Sequence, residues 1–149
     1  MAGYYPPVGF HFRVEFGFLS SGSNDSRFQE VSGLTSELGI EEVVEGGENR
    51  FTHRLPGRAK YGNLILKRGL LTDSQLIDWC KDAIESFEFE PTTVNVILLD
   101  EEHNPVADSF SFQNAWPVKW SISDFKAQEN SIVVETLELA YSYFTRIKL

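Results

Sequence analysis

Alternation of apolar and polar side chains with a period of two is the feature that most restricts the fold of this chain. In the first such segment, Phe10, Phe12, Val14, Phe16 and Phe18 alternate with polar residues or glycine. Because successive side chains of a β-strand point to opposite sides, this spacing predicts a half-buried strand with its aromatic rings on one face. Related patterns predict further strands over residues 28–34, 38–44, 50–55, 64–67, 94–98, 106–120 and 133–144.

One segment, residues 73–87, has helical spacing instead. Its predicted apolar face consists of Leu76, Cys80, Ala83, Ile84 and Phe87, with Trp79 beside it. Thr72 and Gln75 match a capping box at its start. As a core residue, Ile84 would lose about 2–5 kcal/mol on truncation to alanine. The predicted fold is mainly β with one helix (α+β): two antiparallel sheets form a sandwich or partly closed barrel, and the helix packs on one side.

Length and charge exclude several classes of protein. The chain has 149 residues, of which 42% are hydrophobic, and this suits a single domain over residues 1–149. No apolar run approaches the roughly 20 residues of a membrane span, so no membrane anchor is expected. The net charge of −9 argues against specific binding of nucleic acid.

Candidate catalytic and metal-binding residues are scattered. Cys80 falls on the apolar face of the predicted helix, where a buried structural thiol is favoured over a nucleophile. His11, His53 and His103 belong to three different predicted elements and have no metal-ligand spacing. Residues 100–103 (DEEH) are consecutive in a predicted turn, where their side chains point in different directions. We therefore expect no enzymatic activity, no metal and no cofactor.

Two tryptophans leave alternatives open. Trp116 and Trp120 are four residues apart in a predicted strand, so they are expected on one face. Exposed, they would stack on sugars in a monomeric carbohydrate-binding β-sandwich. Buried, they would belong to the core or to a subunit interface, which is the favoured interpretation because aromatic residues are enriched in both places. A small hydrolase using Cys80 or a histidine is a further alternative, which the placement of these residues disfavours.

Charge is divided sharply along the middle of the chain. Residues 37–48 contain five glutamates and no basic residue, whereas residues 49–71 contain six basic residues and no acidic one. Pairing across a hairpin explains Arg50 and Arg54. Arg58 and Lys60 fall in residues 55–63, an irregular stretch with one proline and two glycines that is expected to be a loop beyond easy reach of these glutamates. A basic loop on an acidic protein predicts a self-complementary contact between copies, and if the two surfaces differ, that contact is head-to-tail and builds rings or stacks.

An ordered series of short motifs gives the sequence a family resemblance. The motifs are FQEVSGL at 28–34, EGGEN at 45–49, RLPG at 54–57, LKRGL at 66–70, NAWPVKW at 114–120 and ELA at 138–140. In this order and spacing, the chain resembles the tail-tube proteins of contractile phages and of phage-tail-like contractile injection systems, over residues 10–144. The opening residues 4–12 (YYPPVGFHF) look more like the tube-initiator paralogues of injection systems.

The resemblance implies a structural role and a set of partners. It implies a homo-hexameric ring in which sheets join across subunits around a lumen, and rings that stack into the inner tube of a contractile sheath. The expected partners are neighbouring rings, the sheath, the spike hub or baseplate, and cargo in the lumen. The protein would be made in the cytoplasm and built into a particle. Family members use the loop after the Gly-Gly turn, here about residues 46–62, in contacts between subunits and rings. The residues predicted to lie between copies are Gly46, Gly47, Arg50, Arg54, Arg58, Lys60, Tyr61, Trp116 and Lys119.

Overall fold

Antiparallel β-structure accounts for most of the described part of the chain, as the alternation predicts. A computed structural model describes residues 12–19, 27–44, 46–47, 50–71, 74–99, 104–127 and 132–148. The strands are β1 (Phe12–Phe16), β2 (Glu30–Ser32), β3 (Ser36–Val43), β4 (His53–Tyr61), β5 (Leu64–Gly69), β6 (Thr92–Leu99), β7 (Pro105–Ile122), β8 (Val134–Ala140) and β9 (Tyr143–Lys148). The helix α1 (Gln75–Ser86) lies between β5 and β6.

The strands form one large sheet and one small one. The large sheet has the order β1-β6-β7-β8-β5-β2, with β9 paired to β7, and it curls into a half-barrel. The small sheet contains only β3 and β4. Every pairing among these strands is antiparallel. The predicted fold class is therefore confirmed.

Strand β7 joins the two halves of the large sheet. Its first part pairs with β6 and β9, and its last part pairs with β8. Asn114 lies between these parts with a φ of 55°, in the left-handed region that asparagine tolerates better than most residues. The single strand predicted over residues 133–144 is in fact two strands, because β8 ends at Ala140 and β9 begins at Tyr143.

The core lies inside the curled sheet and is closed by α1. It is built from buried apolar side chains of β1, β5, β6, β7, β8 and the helix. Leu76, Trp79, Cys80 and Ala83 are the buried apolar residues of the helix. The prediction that Ile84 and Phe87 are core residues was wrong.

The buried stripe of the helix is smaller than predicted, because Ile84 lies within α1 but outside its buried face, and α1 ends at Ser86, before Phe87. Phe87 then takes a left-handed φ of 54° and caps the C-terminus of the helix. Ile84 is 53% exposed and Phe87 is 82% exposed. Trp79, predicted to lie beside the stripe, is buried within it.

Ser74 caps the N-terminus of α1. Its hydroxyl oxygen accepts a hydrogen bond from the backbone N–H of Ile77 at 3.3 Å, which satisfies one of the free donors of the first turn. The predicted capping box is therefore not the cap. Thr72 and Asp73 lie outside the described residues, as do Phe10, His11 and the turn at 100–103.

Candidate functional site

The small sheet, β3 with β4, is the candidate functional site, and we call it the arm. No other strand or helix packs extensively on it within the described residues. Leu38 is 64% exposed and Ile40 is 57% exposed, although both are large apolar residues. A two-stranded sheet is only marginally stable alone in water, so an arm with bare apolar side chains is suited to being covered by another molecule.

Strand β4 includes most of the stretch that the sequence had assigned to a loop. It runs from His53 to Tyr61 and passes through Pro56, which pairs opposite Ile40. Proline lacks a backbone N–H and is therefore tolerated in edge strands, where that donor is not needed. The prediction of an irregular loop over residues 55–63 was wrong for all residues up to Tyr61.

Two glycines allow the arm to bend. The pairing shifts by one residue between Leu38 and Ile40, and Gly39 and Gly57 face each other at this bulge. A Cβ on Gly57 would lie 3.2 Å from the Gly39 carbonyl oxygen, so a larger residue would push the strands apart. The tight approach of the two backbones explains the glycine in each strand.

The division of charge seen in the sequence becomes a division between the two strands of the arm. Glu37, Glu41 and Glu42 lie on β3, whereas Arg54, Arg58 and Lys60 lie on β4, and all six are exposed. Glu37 is directly opposite Lys60, and Glu42 is opposite Arg54. The inference that Lys60 lies beyond reach of the hairpin's glutamates was therefore wrong. Arg58, at the bulge, has no ion pair with any described residue.

The base of the arm is anchored on the large sheet by aromatic packing. The ring of Tyr61 lies 5.9 Å from that of Tyr141 and 5.5 Å from that of Phe144. The Tyr141 hydroxyl donates a hydrogen bond to the Gly62 carbonyl oxygen at 2.7 Å. Burial raises the pKa of Tyr141 above its ordinary value, and Tyr61 adds to the rise. Tyr61 thus holds the arm in place within its own chain.

The arm tip carries the two glycines predicted to lie between copies. Gly46 and Gly47 form the turn between β3 and β4, and Gly47 has a φ of 94° that favours glycine. Glu45, Glu48 and Asn49 lie outside the described residues. Arg50 follows the turn and is exposed. The contact role of these residues stays a prediction.

The two tryptophans do not share a face. A bulge between Pro117 and Lys119 shifts the β7–β8 pairing by one residue, so Trp116 pairs opposite Ala140 but Trp120 pairs opposite the buried Leu137. Trp116 and Trp120 therefore point to opposite sides of the sheet. This removes the two-ring platform that the carbohydrate-binding alternative needs. Lys119 is exposed beside the bulge.

A buried ion pair next to α1 is a feature that the sequence reasoning missed. Arg68 Nε donates to Glu135 Oε2 at 2.8 Å, and both side chains are almost fully buried. Glu135 Oε1 accepts a hydrogen bond from Trp120 Nε1 at 2.7 Å, and Arg68 Nη2 donates to the capping hydroxyl of Ser74 at 2.9 Å. The sequence does contain a sign of this pair, because Arg68 is in phase with Leu64 and Leu66 in its strand, and this spacing predicts that Arg68 faces the core.

The residues considered for catalysis are placed unfavourably for it. Burial raises the pKa of the Cys80 thiol to about 12, with a further contribution from Glu135, so the reactive thiolate is disfavoured. His53 lies on the arm, where it contacts the ring of Phe51. Within the described ranges there is no group of three His, Cys, Asp or Glu side chains placed to hold a metal ion. No helix in the same ranges is long and apolar enough to cross a membrane.

These features define a class of protein. The site is an arm with acidic residues on one strand, basic residues on the other and exposed apolar side chains, and it is attached to a curled sheet. Such a surface suits assembly more than catalysis. A family model for the T4-like virus tail tube protein gp19 matches residues 8–145. The chain belongs to this tail tube family, and it is a structural protein of the tail-tube type.

Solved structures agree with this assignment. A chain in the cryo-EM structure of the anti-feeding prophage baseplate is 29% identical, with a TM-score of 0.82 over 96% of each chain. A chain in the extended sheath–tube complex of an extracellular contractile injection system (PVC) is 22% identical, with a TM-score of 0.82 over 98% of this chain and 94% of that one. Hcp1 from Flavobacterium johnsoniae is 16% identical, with a TM-score of 0.58 over 92% and 94%. No match was found among curated protein sequences.

Proposed function

We propose that this protein is a subunit of the inner tube of a contractile injection particle, or of the ring that begins the tube at the spike hub. The observation that carries the proposal is a tail-tube family chain with open sheet edges and an exposed arm. Strands β1 and β2 lie at the two ends of the large sheet, and each pairs with one neighbour within the described residues. An open edge presents unpaired backbone groups that another chain can pair with.

Sheet continuation supplies the physical mechanism of ring formation. If the β1 edge of one copy meets the β2 edge of the next, the curled sheets join into one barrel and these two edges are covered, whereas β9 lies off this path and pairs with β7 alone among the described strands. Because the two edges differ, the contact is head-to-tail and closes as a ring. We propose a ring of six copies, with rings stacked inside a sheath and cargo in the lumen. The chain would be made in the cytoplasm before it enters the particle.

The likeness to a baseplate structure at 29% identity, against 22% for the sheath–tube complex, makes the first ring on the hub a specific candidate. The two roles differ in one measurable property. A bulk tube subunit extends a tube by stacking on its own kind, whereas an initiator forms one ring on the hub and then accepts a different subunit.

Native mass spectrometry and negative-stain microscopy of the purified chain test the proposal, alone and with the spike hub protein. The expected result is a six-fold ring in at least one condition. Long tubes from the chain alone would identify the bulk subunit, and rings only on the hub would identify the initiator. A chain that stays monomeric at high concentration in both conditions would contradict the proposed function.

A further inference from the structure

A second exposed surface lies where α1 ends, and it consists of three aromatic side chains. The Phe87 ring lies 4.7 Å from that of Phe89, and the Phe89 ring lies 5.5 Å from that of Trp116, both in edge-to-face contact. All three side chains are exposed, and we call them the ring cluster. Adjacent exposed rings are uncommon on a surface that stays in water, and aromatic residues are enriched at protein interfaces.

The backbone is left-handed at two places beside the ring cluster. Among the described residues other than glycine, Phe87 and Asn114 have a positive φ, of 54° and 55°. Asparagine tolerates this conformation, whereas it is unfavourable for a bulky residue such as Phe87. Asn114 is two residues before Trp116, so both positions lie at the ring cluster. Strained backbone of this kind is concentrated at functional sites, and the exposed Phe87 ring gains no burial in its own chain to offset the strain.

Hydrogen bonds hold the segment that carries two of the rings. The backbone N–H of Glu88 donates to the Asp82 carbonyl oxygen at 3.0 Å, which is the long bond of a Schellman motif. Nε1 of the buried Trp79 donates to the Glu90 carbonyl oxygen at 2.8 Å. The backbone is thereby fixed on both sides of Phe89. Rings that are already held in place lose little conformational freedom when a partner binds.

The charge around the ring cluster is negative. From residue 82 to residue 99, the chain has four acidic residues and no basic one, and all four are exposed. Glu88 and Glu90 are direct neighbours of Phe87 and Phe89 in the chain, so their carboxylates act on any cation bound at these rings. Neither glutamate has an ion pair within the described part of the chain.

Two lysines flank this surface, and each has an acidic residue of its own nearby. Lys81 is four residues before Glu85 on the helix, a spacing at which opposite charges attract. Lys119 is directly opposite Glu138 in the β7–β8 pairing. The negative charge at Glu88 and Glu90 is therefore not offset by either lysine.

We propose that the ring cluster, with Glu88 and Glu90, binds arginine side chains presented by a different protein. A guanidinium group is planar, so it stacks on aromatic rings while its N–H groups donate to carboxylates. A lysine ammonium is more strongly hydrated and is less suited to such a surface. The proposal goes beyond the proposed function, and it assigns Trp116 to a partner of different sequence instead of to the contact between copies.

Binding of labelled peptides to the purified full chain tests this specificity. Three short peptides alternate glycine with arginine, with lysine or with glutamate, and fluorescence anisotropy measures their affinity at physiological salt. The arginine peptide should bind at least about threefold more tightly than the lysine peptide, and the glutamate peptide should not bind. Equal affinity for arginine and lysine would overturn the proposal, because charge alone would then explain the binding.

Variants of the ring cluster and of its glutamates locate the binding. Phe87→Gly removes one ring but suits the left-handed turn, so it should weaken arginine-peptide binding roughly tenfold without lowering the melting temperature. Phe125→Gly is the control, since it removes an exposed ring elsewhere. Glu88→Gln with Glu90→Gln should also weaken binding roughly tenfold, whereas Glu41→Gln with Glu42→Gln, which removes the same charge from the arm, should not. Unchanged binding in either variant of the proposed site would overturn the proposal.

Sedimentation velocity distinguishes a partner protein from a second copy. Phe87→Gly should assemble at the same concentration as wild type, because the rings are reserved for a different protein. If its assembly weakened instead, copies would cover the rings, which would overturn the inference and leave the proposed function intact. If the wild-type chain failed to assemble, alone or with the hub, the proposed function would fail while the peptide measurements would still decide this inference.

Discussion

Single residues at the base of the arm illustrate how a local conformation positions an entire surface. Gly33 precedes β3 with a φ of 88°, and a Cβ there would lie 2.0 Å from the Asn63 carbonyl oxygen. No side chain fits that space without moving the backbone where the arm leaves the large sheet. The position of the arm thus depends on a glycine at its base.

Gly33→Ala should lower the free energy of unfolding by about 2 kcal/mol or more, because the new methyl group combines a clash with a left-handed backbone. Gly46→Ala is the matched control, since a Cβ at Gly46 would meet no atom within 4 Å. Chemical denaturation of both variants measures the difference. Equal free energies of unfolding for the two variants would show that the backbone at the base of the arm adjusts to the added methyl group at little cost.

Helix residues provide a second prediction, which replaces the one made for Ile84. Leu76 is fully buried, so Leu76→Ala should lower the free energy of unfolding by about 2–5 kcal/mol. Ile84→Ala should lower it by less than about 1 kcal/mol, because this side chain is largely exposed. Urea unfolding of the unassembled chain measures both, and a reversed order would mean that the helix packs through a different face.

Cys80 gives a pH-dependent prediction. Its pKa is raised to about 12 in the folded chain from an ordinary value of 9.0, so the folded state retains a proton that the unfolded state releases. The contribution of Cys80 to stability is therefore complete below pH 9 and is lost as the pH rises from 9 towards 12. Comparison of wild type with Cys80→Ala by denaturation from pH 8 to 11 should show a steeper loss in wild type. If the free energy of unfolding fell equally steeply with pH in both proteins, the raised pKa of Cys80 in the folded chain would be contradicted.

At the scale of elements, the buried ion pair Arg68–Glu135 connects strand β5, strand β8 and helix α1. These residues are directly opposite in the β5–β8 pairing, and Ser74 connects them to the start of α1. Arg68 also lies over the ring of Phe28, with its guanidinium carbon 5.1 Å from the ring centre. A slip of one residue between β5 and β8 would leave two buried charges unpaired, so the pair favours a single register.

Removing one partner should be more harmful than removing both. Arg68→Met or Glu135→Leu alone should lower the free energy of unfolding by about 3–5 kcal/mol, because a buried charge is left uncompensated. The double variant should lose clearly less than the sum of the two. A double-mutant cycle in urea measures the coupling, and strictly additive losses would show that the pair does not act as a unit.

The large sheet and the arm differ in how well their sequences predict them, for a physical reason. Strands β1, β5, β6 and β8 of the large sheet each bury one face, so buried and more exposed side chains alternate along them and the sequence shows this period. Neither face of the arm is buried in its own chain, so β4 shows no period and its Pro and Gly residues resemble those of a loop. The bulge that separates Trp116 from Trp120 is likewise invisible in spacing, because one extra residue reverses the face of everything after it.

At the scale of the whole molecule, apolar side chains that the chain itself leaves uncovered are concentrated in particular places. The exposed apolar residues of the arm are Leu38, Ile40, Val43 and Leu55, and Val44 and Phe51 are exposed in the segment between its two strands. None of them belongs to the core cluster, and the arm makes little contact with the rest of the described chain. Their presence in an acidic protein is explained if these apolar side chains become buried when copies assemble.

This view leads to a prediction that separates assembly from folding. Leu38→Thr with Ile40→Thr places a β-branched residue, which suits a strand, at both positions and removes apolar surface from the arm. The variant should unfold within a few degrees of wild type, because both side chains are already in water. Ring formation should weaken by roughly tenfold or more, because the apolar area no longer leaves water when copies meet.

Phe125→Thr with Ile132→Thr is the comparison, since these two residues are at least as exposed but lie outside the arm. Sedimentation velocity over a range of concentrations, with thermal unfolding of the dilute chain, distinguishes the outcomes. Weakened assembly in the arm variant and intact assembly in the comparison would place the arm in the contact. If the arm variant assembled as wild type does, the apolar residues of the arm would have no part in holding copies together, and the sheet edges alone would have to do so.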